Sequence, residues 1–259
     1  MEVQKKQNEW HIQWSVLQDD ELFLFKEWIY PNKIEDFQDK EVLECGCGGG
    51  QHTSFVASYA ATYFAVDLNT IDIARKRNAD KNNIEYIEAD IAKMDLKKKF
   101  DCVFSIGVIH HTDNPDLTFE NLKNHTKKNG KTIIWVYSKE GNWLVENVVE
   151  PIRKHVLIKI SRKNLLTLAK IITAVMYIPI YTFYLLPIKF LPFYEYFQNF
   201  RILSFKRNTL NVFDKLNAPQ VDFISKERIE KWFNKNDYSQ VHISSYKNVS
   251  WRGSGIKNN

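Results

Sequence analysis

Three observations predict an α/β fold with a mostly parallel sheet. Short apolar runs alternate with amphipathic stretches from Val42 to Tyr137, the pattern of strands linked by crossover helices. A glycine-rich turn, Gly46 to Gly50, joins the first apolar run to the stretch after it. The last part of the chain reads as two strands, 240–246 and 249–253, around a tight turn. That hairpin adds an antiparallel edge, so five runs and a hairpin make a seven-stranded sheet.

Taken in order, residues 15–30 form an amphipathic helix carrying Leu22, Phe25, Trp28 and Ile29 on one side. Pro31 and Asn32 end it. The first strand is 41–45, with a helix over 51–60, and the second strand is 62–67. Asn69 caps a helix to Ala79, its side chain accepting from the free N–H groups of the first turn. Strands follow at 84–88 and 100–106. Pro115 opens a helix where its missing N–H costs nothing, running to Lys127. Asn129-Gly130 stops it, and 131–137 is the fifth strand. Ser225 caps a helix to Asn234. The expected domains are a helical cap (1–39), a core (40–137 with 221–259) and an inserted helical segment (138–220).

The turn carries the first functional information. Gly46, Gly48 and Gly50 let a ligand lie against main chain, where a Cβ would clash. A dinucleotide fingerprint spaces its glycines G-x-G-x-x-G around a pyrophosphate; here the spacing is G-x-G-x-G and Gln51 follows. Glu44 before the turn would repel a pyrophosphate and suits the cationic end of S-adenosylmethionine. Asp67 ends the second strand, about 20 residues on, where an acidic residue partners ribose hydroxyls. A metal site from Cys45 and Cys47 with His52, His110 and His111 lacks a second cysteine pair, so no metal is expected.

The chain has 259 residues and a net charge of +5. The charge is uneven: residues 1–150 hold 18 Lys/Arg against 25 Asp/Glu, and residues 151–259 hold 18 against 6. Between 151 and 207 ten basic residues face the single acid Glu195. Such a split speaks of partners rather than fold, here an anionic substrate or surface. The polar Met1–Asn8 lacks a signal-peptide core. Three cysteines without framework spacing imply a reducing compartment, so a cytoplasmic protein is expected. No RNA-binding module is recognisable, and no nucleic acid partner is expected.

The segment Ser105-Ile106-Gly107-Val108-Ile109-His110-His111-Thr112 completes a set: glycine turn, acidic strand-two end, Ala89-Asp90-Ile91 and a His-His element. In this order they resemble the class I S-adenosylmethionine-dependent methyltransferases, bacterial small-molecule group, closely over 40–137 and loosely over 221–253. The resemblance implies a Rossmann-like core with S-adenosylmethionine as cofactor and S-adenosylhomocysteine as product. It implies that Glu44, Gly46, Cys47 and Gly48 face the methionine part. Asp67 then holds the ribose, with Leu68 against the adenine; Asp90 accepts from the adenine amino group, with Ile91 on the ring. Ser105 and Gly107 line the floor near the sulfonium. His110 or His111, just past strand four, supplies the base for a hydroxyl acceptor. Both histidines also suit loop packing. Tyr137, Trp143, Arg252 and Trp14 are the expected substrate contacts, Arg252 as a planar fork for phosphate.

The inserted segment is aromatic and basic. Ile171 to Ile188 is an uncharged run bounded by Lys170 and Lys189 and interrupted by Pro179 and Pro187. A lid over the substrate is the first reading, docking on anionic lipid the second, a membrane span the third. The expected reaction is O-methylation of a small anionic, phosphate-bearing acceptor. A nucleotide-activated sugar or surface-glycan precursor fits, as does a phosphoramidate or phosphonate oxygen. Alternatives are a membrane-associated lipid or quinone methyltransferase, an RNA methyltransferase, and a catalytically silent cofactor-binding protein.

Overall fold

The computed structural model describes residues 11, 14 and 21–259. Its strands are β1 (Glu41–Cys45), β2 (Thr62–Asp67), β3 (Ile84–Glu88), β4 (Phe100–Ile106), β5 (Thr126–Tyr137), β6 (Tyr238–Tyr246) and β7 (Ser250–Lys257). The described α-helices are α1 (Leu22–Ile29), α2 (Gln51–Val56), α3 (Ile71–Arg77), α4 (Pro115–His125), α5 (Glu150–His155), α6 (Arg162–Ile180), α7 (Tyr194–Phe200), α8 (Phe205–Asn217) and α9 (Lys226–Trp232).

All seven strands form one sheet, in the order β3-β2-β1-β4-β5-β7-β6. Strands β1 to β5 pair in parallel. β6 and β7 are joined through Lys247 and Asn248, both at positive φ, the twist a tight hairpin turn needs. The chain runs outward from β1 through β2 to β3, then returns to place β4 on the other side of β1. The carboxyl ends of β1 and β4 therefore flank a topological switch point, where open α/β sheets bind ligands.

Helices cover both faces. On one, Phe25 and Ile29 of α1, Val56 of α2 and Ala74 of α3 pack with Val42, Tyr63 and Phe104. On the other, Phe119 and Leu122 of α4 and Ile229 and Trp232 of α9 pack with Leu43, Val103 and Ile134. The period-two alternation along β1 sends Glu44 to the first face with Val42, and Cys45 to the second with Leu43.

Several expected boundaries move, each for a visible reason. The first helix is described from Leu22; residues 15–20 lie outside the described residues. Asn69 does not cap α3: Thr70 precedes that helix, which stops at Arg77. Asn114 caps α4, its side chain accepting from Leu117 N. β5 starts at Thr126 rather than Lys131, because the chain enters the sheet opposite Phe100 and resumes regular pairing at Lys131 opposite Cys102. Asn129, at φ +61°, lies in that irregular stretch. It marks a bulge inside the strand rather than the end of a helix.

The chain divides into two compact units. The first runs to Tyr137 and resumes over Gln220–Ser244 and Trp251–Asn259; the second is Ser138–Pro219 with Ser245–Ser250. The tip of the last hairpin thus belongs with the insertion. In the second unit α6 packs with α7 and α8 around Leu165, Ala169, Phe200, Val212 and Phe213. Ser161 and Ser204 cap α6 and α8 by accepting from Asn164 N and Arg207 N. The uncharged run is not one helix: α6 continues through Pro179 in its last turn and ends at Ile180. The remainder is a short 3-10 turn and loop.

Candidate active site

The glycine turn is held at several points. Gly46 N and Cys47 N donate to Val66 O at 2.8 and 3.0 Å, binding the turn to the end of β2. Gly48 N donates to Asp67 Oδ2 at 2.9 Å, and Thr70 Oγ1 donates to Gly48 O at 2.7 Å. Gly46 has φ +86°, and a Cβ there would meet Val108 Cγ2 at 2.5 Å. The turn after β1 and the loop after β4 therefore touch, and only glycine permits it. Gly46→Ala combines left-handed strain with overpacking, an expected loss of roughly 2–4 kcal/mol of stability. An unchanged urea midpoint would contradict this reading.

Asp67 closes β2 beside the turn. Removal from water pushes its carboxyl above the ordinary value, and the Gly48 and Thr70 donors hold it back. Leu68, next to it, is 41% exposed, an apolar face presented to the rim. Asp90 sits after β3; its Oδ1 accepts from Ala92 N and its Oδ2 lies 3.2 Å from Lys93 Nζ. Ile91 is buried with the second core face rather than open at the rim.

Glu44 is almost fully buried beneath the turn. Its Oε2 accepts from Thr53 Oγ1 at 2.5 Å and Tyr63 OH at 2.6 Å. Burial, then the Glu44 charge, pushes the Tyr63 hydroxyl well up, so it remains a donor. Glu44 Oε1 has His52 Nδ1 at 3.5 Å and no hydrogen bond. Thr53 and Tyr63 have no signal in the sequence, since a threonine in a helix and a tyrosine in a strand carry no motif. Cys47 is buried and its thiol is pushed well up by desolvation, so it is neutral. Ser105 Oγ donates to Cys45 O at 2.8 Å, tying β4 to β1 within the core.

The loop after β4 begins at Gly107, φ +80°, whose N–H donates to Trp135 O. The two histidines behind it differ. The His110 ring is fully buried, 4.2 Å from both the His111 and Tyr137 ring centroids. His111 is half-buried, with Nδ1 2.8 Å from Gln220 O. A carbonyl only accepts, so Nδ1 carries the hydrogen and Nε2 is the basic nitrogen. Gln220 Nε2 donates in return to His111 O and Asp113 Oδ1. Gln220 had no signal in the sequence; it sits in a polar stretch a hundred residues away.

The expected substrate contacts separate. Tyr137 stays at the end of β5 against both histidines. The Trp14 ring lies on the glycine turn: a Cβ on Gly48 would meet its Cε2 at 2.8 Å. Arg252 does not offer its fork to an anion. Its Nε donates to Ser244 Oγ, its Nη1 to Glu27 O, and its guanidinium stacks on Tyr30. Trp143, 65% exposed, belongs to the second unit, where it lines a cleft of about 440 Å3 with Lys189, Phe193, Tyr194 and Lys247. Among the described residues no His/Cys/Asp/Glu group is placed to hold a metal.

The profile of a methyltransferase domain matches residues 43–134. Residues 43–134 form a class I S-adenosylmethionine-dependent methyltransferase domain. The chain is 33% identical over 104 residues to a ubiquinone biosynthesis O-methyltransferase of Rickettsia conorii, covering 38% of this chain and 35% of that protein. It is 30% identical over 122 residues to a tRNA U34 carboxymethyltransferase of Photobacterium profundum, covering 45% of this chain and 37% of that protein. The chain therefore spans well under half of either relative. Among solved structures, the magnesium protoporphyrin IX methyltransferase of Synechocystis with bound S-adenosylhomocysteine superposes with a TM-score of 0.52 at 14% identity. The match covers 98% of this chain and 87% of that one, a likeness of fold. The seven-stranded Rossmann-like sheet is the one the sequence predicts.

The methyltransferase core has what such a cofactor needs. The glycine turn is a cradle a Cβ would fill, Asp67 is a two-oxygen acceptor at its edge, and Glu44 Oε1 is a buried acceptor without a donor.

Proposed function

We propose that the chain moves a methyl group from S-adenosylmethionine to an oxygen of a small acceptor. Glu44 and the glycine turn hold the methionine part, Asp67 the ribose, and Leu68 and Asp90 the adenine. The bound cofactor supplies a methyl group on a positively charged sulfur. The protein's own work is to align the acceptor with that methyl, an orientation effect of up to roughly 7–11 kcal/mol. His111 Nε2 would accept the proton of the acceptor hydroxyl as that oxygen receives the methyl group, which the cofactor, when bound, would supply while its sulfur leaves as a neutral thioether. The observation that carries this reading is the Gln220 carbonyl on His111 Nδ1, which sets the basic nitrogen of a histidine just past β4.

Two acceptor classes have support. The relatives named for ubiquinone biosynthesis favour a hydroxylated quinone precursor. The ten basic residues against one acid over 151–207 favour a phosphate-bearing acceptor, such as a nucleotide sugar. Incubation with both panels, reading S-adenosylhomocysteine release and the methylated product by mass spectrometry, separates them. Product from a hydroxylated quinone precursor and none from any phosphate ester retires the anionic reading. Methylation at nitrogen or carbon retires the oxygen assignment.

A further inference from the structure

We propose that the second unit docks on an anionic lipid bilayer, with the end of α6 and the loop after it entering one leaflet. The outward stripe of α6 changes character along its axis. Lys163, Asn164, Thr167 and Lys170 are exposed at its start, and Ile171, Ala174, Val175 and Ile178 at its end. Exposed apolar side chains continue past the helix, with Ile178 at 67%, Phe183 at 65% and Phe190 at 88%. Only 22% of the most apolar 18-residue window of α6 is buried in the protein.

Several polar groups of this tip are paired internally, which lowers the cost of entering lipid. Tyr181 N donates to Tyr177 O, Thr182 N to Pro179 O, Leu185 N to Thr182 O and Leu186 N to Phe183 O. The Thr182 hydroxyl donates to Ile178 O, the Tyr184 hydroxyl to Pro192 O, and Arg201 Nη1 to Tyr184 O.

Length and charge set the depth and the lipid. Between Lys170 and Tyr181 the helix travels roughly 16 Å at its ordinary rise, about half of a ~30 Å hydrocarbon core. Lys170 and Lys189 bracket the uncharged run and are both exposed, as are Lys154, Lys159, Lys163 and Lys206. Cations at the base of an apolar wedge match anionic headgroups. A span is disfavoured because the helix ends at Ile180 and Lys189 closes the run soon after.

The test uses the full chain and sucrose-loaded vesicles, and does not depend on the acceptor. Wild-type protein is expected to sediment with phosphatidylcholine vesicles containing one-third phosphatidylglycerol, and far less with pure phosphatidylcholine. The double variant Phe183→Asp/Phe190→Asp, at exposed positions, should lose about tenfold or more of that partition while keeping its circular dichroism and melting temperature. An environment-sensitive fluorophore on Phe190→Cys should blue-shift with anionic vesicles, and one on Lys163→Cys should not. The three native cysteines are buried and leave the introduced thiol as the reactive one. Equal binding to neutral vesicles would overturn the lipid assignment. Vesicle binding by the double variant equal to wild type, or none by wild type, would overturn the docking itself. A wild-type dimer dissolved by the double variant, without vesicle binding, would make the partner a second copy of the chain.

Discussion

Asp67→Asn is expected to weaken S-adenosylhomocysteine binding by roughly 30- to 150-fold, about 2–3 kcal/mol, the scale of hydrogen bonds to a charged acceptor. The amide keeps one oxygen for the Gly48 N–H and loses the second acceptor and the charge that a diol uses. The same substitution should not weaken the ligand-free fold. In the free protein desolvation holds this carboxyl above its ordinary value. A raised acid contributes stability below its unfolded pKa and loses it as pH rises through the folded value, so at neutral pH the ionised group is a cost. The variant should melt no lower than its parent at neutral pH. Cofactor affinity in the parent should fall as pH drops through the raised value, and in the variant it should stay flat. Calorimetric titration at several pH values checks both; an unchanged affinity in Asp67→Asn contradicts the ribose assignment.

His111→Ala is expected to lower kcat about 10²- to 10⁴-fold on a hydroxyl acceptor, the range for loss of a positioned base. His110→Phe, which preserves the ring contact with Tyr137, should retain most of the activity. A larger loss in His110→Phe would move the base to the buried ring. Equal, undiminished rates in both variants would mean that the acceptor arrives already ionised.

The parts legible in the sequence are those whose chemistry is local. β1 to β4 keep their expected bounds because each is an apolar run closed by glycine, charge or a polar turn. The turn from Gly46 to Gly50 was legible because left-handed backbone and close approach both select glycine. Contacts made across long separations left no trace. Gln220 holds His111 from 109 residues away, and one oxygen of Glu44 is met by a threonine and a tyrosine with no spacing rule between them. Arg252 reads as an anion fork until the carbonyl of Glu27 appears beside it. Asn129-Gly130 misled because a bulge in a strand and the stop of a helix both select a residue tolerant of positive φ. The second unit was least legible: its four helices carry an apolar period but no residue pattern tied to one chemistry.

The clamp on Gly48, by Asp67 from one side and Thr70 from the other, has a kinetic meaning. A turn already fixed by its own hydrogen bonds loses little ordering entropy when a ligand arrives. Exchange of spent donor for fresh then amounts to passage through a fixed doorway. For the methyl transfer proposed above, the pacing step is then expected in chemistry or acceptor delivery, and loosening this turn is not expected to speed it.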